Sequence, residues 1–310
     1  MFVSGLFLLT VLLIFNVEGS ENLYGHFLSK SPSGSKFVRS KSIELSALLE
    51  SGQIDYAFGY KNVALEQEFE FLSLPEEVNL SSKKFEKVYQ KEFVALNNQM
   101  RIQGQRISYA LAIPKAAPNL EGALEFVKIL KSKKGQEVLI KSGFKVEFFE
   151  EIFATTKGKP KSILRIFHAG SLTRSFFQLE KIFEMKFPEV DVRNEAYGSL
   201  TAIRQLTELN RKPSLIAIAD PQLFEKMMIP TYIDNYIIFA GNELGILYQN
   251  KSRYANEINQ KNWMEVLLRK DVQFGRSDPN QDPAGYRTLL LWKLADRYYA
   301  KGNGKGRGNS

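Results

Sequence analysis

Two Gly-Ser pairs, Gly170-Ser171 and Gly198-Ser199, stand where the apolar pattern of the chain changes from a period of two to a period of 3.6. A serine at such a strand-to-helix turn reads as a helix N-cap, whose oxygen satisfies one orphan backbone N–H while the neighbouring N–H groups point outward with the positive end of the helix dipole. One such end is an ordinary cap. Two of them, following parallel strands of one sheet, make an anion site that needs no charged side chain. The loop 276–287, RSDPNQDPAGYR, adds a third element. Pro283 suits the first position of a helix over 284–299, Asp282 is expected to face the cleft, and the loop's backbone N–H groups are expected to cap the same anion. Tyr60, at the end of a strand over 54–60, supplies a hydroxyl donor. Each element also has a plainer reading as a capping serine, a capping aspartate or a strand tyrosine.

These residues need a scaffold of alternating strands and helices. Period-two runs place strands over 54–60, 69–74, 107–113, 163–168, 190–195, 214–219, 236–248 and 271–275. Helical spacing places helices over 43–51, 83–91, 120–132, 134–142, 173–187, 200–210, 221–228, 261–269 and 284–299. The class is α/β. Helix 173–187 sets Phe176, Phe177, Leu179, Ile182, Phe183 and Phe187 largely on one side, which reads as a core-facing stripe. The polar segment 145–162, ending ATTKGKPKS, reads as a linker, and KGNGKGRGNS at 301–310 as a low-complexity tail.

Composition removes several classes of function. There is no cysteine, so thiolate metal sites and disulfide frameworks are excluded, and two histidines make a His-rich metal site an unattractive reading. The net charge of +8 comes from 42 basic and 34 acidic residues scattered along the chain, without the basic stripe and interleaved aromatics of a nucleic-acid surface. Residues 2–15, FVSGLFLLTVLLIF, are shorter than the roughly 20 apolar residues that span a bilayer, and read as the core of an export signal over 1–20 or as an uncleaved anchor. Either places the body outside the cytoplasm. Acyl transfer through His168, Ser171 and Asp220 is the enzymatic alternative. His168 and Ser171 lie only three apart around one turn, however, and no G-x-S-x-G elbow is present.

The blocks HAGSL (168–172), EAYGSLTAIRQL (195–206), DPAGYR (282–287), VRSKSIEL (38–45), DYAFGYK (55–61) and IPK (113–115), with the sequence around them, resemble successive blocks of the archaeal-type molybdate/tungstate-binding proteins. These form the ModA/WtpA group of ABC-transporter receptors, and the resemblance runs through nearly all of 21–299. Only the order differs, because the family begins with the HAGSL block and ends with the IPK block. The resemblance therefore implies a circularly permuted, two-lobed periplasmic-binding-protein type II fold. Lobe I would be continuous over 105–241, and lobe II would combine 21–104 with 242–299, before a tail at 300–310.

What the resemblance implies for function is a monomeric receptor that closes on one tetrahedral oxyanion, molybdate or tungstate, and delivers it to an ABC-transporter permease without a cofactor. By motif, Gly170, Ser171 and Ser199 would donate from one lobe, while Asp282 with its neighbouring amides, Gln281 and Tyr60 would contribute from the other. Asp282 would also approach the metal of the oxyanion directly. Ser42 and Gly59 stand where many relatives carry an acidic residue, which leaves Glu44 as the nearest second carboxylate. A receptor or anchored sensor for another oxyanion, such as sulfate or phosphate, is the alternative within the same fold.

Overall fold

A computed structural model of the chain describes residues 22–147 and 158–300. The export-signal reading at 1–20, the middle of the linker reading and the tail at 301–310 fall outside the described residues.

Thirteen strands are formed among the described residues. In chain order they are β1 (Val38–Arg39), β2 (Tyr56–Tyr60), β3 (Glu70–Leu72), β4 (Phe93–Ala95), β5 (Arg101–Gln103), β6 (Ser108–Ala112) and β7 (Lys145–Val146). There follow β8 (Ile163–Ala169), β9 (Asp191–Tyr197), β10 (Leu215–Ile218), β11 (Ile237–Gly241), β12 (Leu244–Tyr248) and β13 (Phe274–Ser277). The helices are α1 (Leu23–Lys30), α2 (Glu44–Glu50), α3 (Lys61–Glu66), α4 (Glu86–Tyr89), α5 (Leu120–Lys131) and α6 (Lys133–Lys141). The rest are α7 (Thr173–Lys186), α8 (Ser199–Thr207), α9 (Gln222–Met227), α10 (Trp263–Leu268) and α11 (Pro283–Ala300).

The strands build a five-stranded sheet in the order β1-β13-β2-β12-β3, a six-stranded sheet in the order β7-β11-β6-β10-β8-β9, and the small pair β4-β5. Helices cover both large sheets, which is why central strands such as β2 and β10 are buried along their whole length rather than alternating. Register then decides what stands beside what. β8 and β9 run parallel, with Ala169 paired to Tyr197, so Gly170 and Gly198 leave the sheet side by side. β10 is parallel to β8 with Ala217 opposite His168, so Ala219 and Asp220 emerge at the same end. In the other sheet β13 is parallel to both β1 and β2, which brings the chain out at Ser40, Tyr60 and Asp278 together. Loops beyond the carboxyl ends of parallel strands are where α/β sheets bind ligands.

Three sequence expectations change. The run 236–248 is not one strand but two, β11 in the six-stranded sheet and β12 in the five-stranded one, and the chain crosses between the sheets at Asn242-Glu243. A continuous apolar run carries no mark of the sheet to which each half pairs. The helix expected over 83–91 is a 3-10 turn, Lys83–Phe85, followed by the single turn α4. On α7 the stripe holds for Phe176, Leu179 and Phe183, but Phe177 is 48% exposed because it sits on the outer flank of the helix. Helices α1 and α3, absent from the pattern reading, are short, and α1 buries only Leu23 and Phe27. Phe27 is nevertheless central, stacked on Trp263 and on Trp292 at 5.5 and 5.1 Å between ring centroids. Leu23 N–H donates to Asp296 at 2.9 Å, so α1 starts against the last turns of α11.

Candidate functional site

At the Gly170 turn the local structure differs from a simple cap. Gly170–Leu172 forms a 3-10 turn and α7 begins only at Thr173, so Ser171 does not cap it. Its hydroxyl instead shares a 2.8 Å hydrogen bond with the hydroxyl of Tyr109 on β6, and both groups are buried. Ser199 is likewise the first residue of α8 and does not cap it. Ser199 Oγ accepts from Ala219 N–H at 3.1 Å, which ties the start of α8 to the exit of β10. The intrahelical ladder of α8 begins with Ala202 N–H donating to Gly198 C=O at 2.8 Å, so the amides before it precede the ladder, at the positive end of the helix. The capping role read for the two serines is therefore corrected, while the two helix starts do stand next to one another.

The facing loop also departs from expectation. Asp282 accepts from the N–H of Ser42 at 2.7 Å and of Ala284 at 3.0 Å, so its carboxylate caps α11 and pins the segment before α2. Burial raises its pKa above the usual carboxylate range, against the lowering effect of those amide donors. The loop's backbone N–H groups are not offered outward: those of Gln281 and Asp282 both donate to Asp278 C=O, at 3.1 and 3.0 Å. The side-chain amide of Gln281 donates to Asp278 Oδ2 at 2.9 Å. The backbone N–H and one side-chain N–H of Gln281 are thus taken up within its own turn. Glu44 accepts from Ser40 Oγ at 3.1 and 2.9 Å and sits half exposed, 3.9 Å from Lys41 Nζ, engaged with its own segment.

Tyr60 is fully buried at the end of β2, and its oxygen accepts from Arg287 Nη1 at 2.8 Å. Burial pushes its pKa up, and Arg287 pulls the other way. The same guanidinium donates to Ala219 C=O at 2.6 Å and lies 3.5 Å from Asp220. Tyr286 donates to Asp220 at 2.6 Å. Neither Arg287 nor Tyr109 stands out in the sequence as a site residue. The signal for Arg287 in the sequence is its place at the end of the DPAGYR block, just inside the start of α11.

Residues from the two sheets meet at close range. A Cβ on residue 198 would lie 2.3 Å from Gln281 C=O and 3.0 Å from Ser40 C=O, and one on residue 170 would meet Lys41 Cβ and Ile43 Cγ2 at 3.6 Å. Asn62 of α3 donates to Ser171 C=O at 2.7 Å and in turn accepts from Asn242, the crossing residue, at 2.8 Å. Ser171, Ser199, Tyr60, Asp282, Ser42 and Gly170 therefore belong to one connected constellation. A groove of about 180 Å³ among Pro114, Lys115, Arg211, Lys212 and Tyr232 lies elsewhere on the surface and contains none of these groups.

The constellation offers hydroxyls and helix-start amides, which suit an anion. Among the described residues no group of three or more His, Cys, Asp or Glu side chains is arranged to hold a metal ion. The acyl-transfer geometry is also absent. His168 Nδ1 bonds Ala169 C=O at 2.9 Å and its ring lies against Phe176, while burial lowers its pKa to about 4. Ser171 pairs with Tyr109, and Asp220 is held by Arg287 and Tyr286. A nucleophile, base and orienting acid in sequence of hydrogen bonds are what that chemistry requires.

Comparison with known proteins gives the family of the chain. A protein from Petrotoga mobilis described as an uncharacterized solute-binding protein is 52% identical over 134 residues, 43% of this chain and 42% of that one. The molybdate/tungstate-binding protein WtpA of Pyrococcus abyssi is 46% identical over 155 residues, 47% of this chain and 45% of its own. That of Thermococcus kodakarensis is 43% identical over 155 residues, 48% and 44% of the two chains. The resemblance to this group seen in the motifs is thereby borne out. The chain spans under half the length of these curated relatives in any one match. Among solved structures, a phosphate-binding protein of a Streptococcus pneumoniae phosphate ABC transporter superposes with a TM-score of 0.44 at 14% identity, over 83% of this chain and 95% of that one. The family model described as bacterial extracellular solute-binding protein matches residues 31–145 and 164–307, the greater part of the sequence. The chain belongs to the bacterial extracellular solute-binding proteins.

Proposed function

We propose that this protein captures a tetrahedral oxyanion of the molybdate/tungstate class outside the cytoplasm and hands it to an ABC-transporter permease, acting as a monomer and performing no chemistry on it. The observation that carries the reading is that Ser171 and Ser199 follow adjacent parallel strands of one sheet, while Tyr60 of the other sheet is joined through Arg287 to Ala219, the partner of Ser199. Neutral dipoles fixed by their own hydrogen bonds bind a dianion without drawing a full counter-charge into the site, and a pocket of fixed size selects the larger molybdate and tungstate over sulfate. The names of the Pyrococcus and Thermococcus relatives support that ligand class.

In this reading lobe I is 105–241, with the six-stranded sheet, and lobe II combines 21–104 with 242–299, with the five-stranded sheet. Closure occurs about the crossings at 104–107 and 242–243, where Asn242 N–H reaches Ile107 C=O at 3.4 Å. Asp282 lines the anion as a capped carboxylate and takes the direct approach to the metal only if its amide partners yield. The block order is a circular permutation. Three observations support it: the family match breaks over 146–163, each relative aligns over less than half of either chain, and Leu23 rests on Asp296, joining the regions that the relatives' block order makes consecutive. An export signal or anchor at 1–20 would deliver the body to the outer face of the membrane.

Calorimetric titration of purified protein with tungstate, molybdate, sulfate and phosphate tests the reading. Micromolar binding of the first two with little response to the others is expected. An equal response to sulfate moves the assignment to a general oxyanion receptor, and no response to any of the four refutes oxyanion capture.

A further inference from the structure

Arg287 is a fully buried cation whose guanidinium is divided between the two sheets. It donates to Tyr60 on β2 of the five-stranded sheet at 2.8 Å, and to the carbonyl of Ala219, at the exit of β10 in the six-stranded sheet, at 2.6 Å. Asp220, next along the chain, sits 3.5 Å away and takes a second bond from Tyr286, the neighbour of Arg287 on α11. Two consecutive residues of one helix thus hold one aspartate of the opposite sheet.

From this geometry we infer that Arg287 is a positioning residue for oxyanion capture, which fixes the direction of the Tyr60 proton and does so only while the two sheets are clasped. The inference rests on the proposed function. A phenol oxygen that accepts from a guanidinium has one hydrogen left to give, and that of Tyr60 reaches no other described residue. It is therefore available to an anion, and the charged donor behind it polarises the O–H bond. Ala219 N–H donates to Ser199 while Ala219 C=O accepts from Arg287, so the same peptide segment sets the two donors from opposite sheets. Opening of the sheets would break the bonds to Ala219 and Asp220 and release the guanidinium from its place behind Tyr60. Donor alignment and closure become one event.

The test is a double-mutant cycle on molybdate affinity with Arg287→Lys and Tyr60→Phe. A lysine keeps the charge but cannot fork to both sheets. Arg287→Lys is expected to weaken binding about tenfold or more with Tyr60 present and less than about twofold in the Tyr60→Phe background, as for one lost bond from a charged group. Equal losses in both backgrounds, or none, overturn the inference while leaving oxyanion capture intact. Failure of the wild-type protein to bind overturns both. Asp220→Asn provides a second measurement should Arg287→Lys not fold. By small-angle scattering the anion-free variant is expected to be more extended than wild type and to contract on adding molybdate; a scattering profile identical to wild type without anion overturns the clasp.

Discussion

The carbonyl oxygen of Gln281 lies 2.3 Å from where a Cβ on residue 198 would stand, so at Gly198 the α8 start in one sheet and the aspartate loop of the other leave no room for a side chain. Gly198 has φ −64 and ψ 145, which any residue adopts, so only space demands glycine here. Gly198→Ala should hold the two sheets apart. We expect a fall in molybdate affinity of about tenfold or more, since interiors are close-packed and a misfit of this depth must be relieved by movement. Thermal stability without anion should change little, because the clash is relieved by opening rather than by unfolding. Unchanged affinity by calorimetry would show that the closed arrangement is not the binding one.

Ser171 and Ser199 should each bear on binding and on stability, because their hydroxyls also hold the buried Tyr109 hydroxyl and Ala219 amide. Each alanine variant is expected to weaken oxyanion binding by about 1–3 kcal/mol, the worth of a hydrogen bond to a charged group. Ser199→Ala also strands the buried N–H of Ala219, and should lower the unfolding free energy of the anion-free protein by about 1–3 kcal/mol. Denaturant melts with and without molybdate would distinguish the two effects. A Ser199→Ala protein as stable as wild type would mean that the amide of Ala219 finds water instead.

Asp282 acts on stability as well as on any ligand. Its carboxylate caps α11 through Ala284 and fixes Ser42. Asp282→Ala should cost about 1–2 kcal/mol of stability with no anion present, the usual loss of a side-chain cap. A melting temperature equal to that of wild type would leave Asp282 with a ligand-binding role alone.

The pH dependence of stability should contain two opposing contributions. Glu66 of α3, buried against Ser175 of α7 at 3.1 Å, has its pKa raised by burial to about 7, from 4.5. Between those values the folded state holds a proton that the unfolded chain does not, so stability falls as pH rises from 4.5 to 7. His168, with its pKa lowered from 6.5 to about 4, is neutral when folded and charged when unfolded between those two values, so its contribution rises with pH there. Each shift corresponds to roughly 3 kcal/mol, and the two largely cancel where their windows overlap, between pH 4.5 and 6.5. Glu66→Gln should unmask the histidine, giving a protein that loses stability steadily from pH 6.5 down to 4. A variant whose pH profile parallels wild type would show that Glu66 is solvated in the native state.

Much of this protein is written locally. Period-two and 3.6 patterning located most of the strands and helices that carry the site, though not β1 or α3, and the Gly-Ser turns, Pro283 and Tyr60 announced themselves because turn chemistry and strand ends depend on a few adjacent residues. What the side chains do there was not legible. Ser171 and Ser199 look like helix caps in sequence, yet their hydroxyls go to Tyr109 and Ala219, partners 62 and 20 residues away. The backbone N–H and one side-chain N–H of Gln281 go to Asp278 within its own turn, and Phe177 faces water although its spacing belongs to the stripe.

The sequence by itself determined the alternation of elements, the apolar runs that become central strands, and the motifs that mark the family, since each is a property of neighbouring residues. Tertiary structure alone decided that 236–248 divides between two sheets, that Gly170 and Gly198 emerge in register, and that Arg287 reaches both Tyr60 and Ala219. Such pairings depend on which strands hydrogen-bond to which and on how closely two surfaces approach. Packing fixes both only when the whole chain has collapsed around its cores.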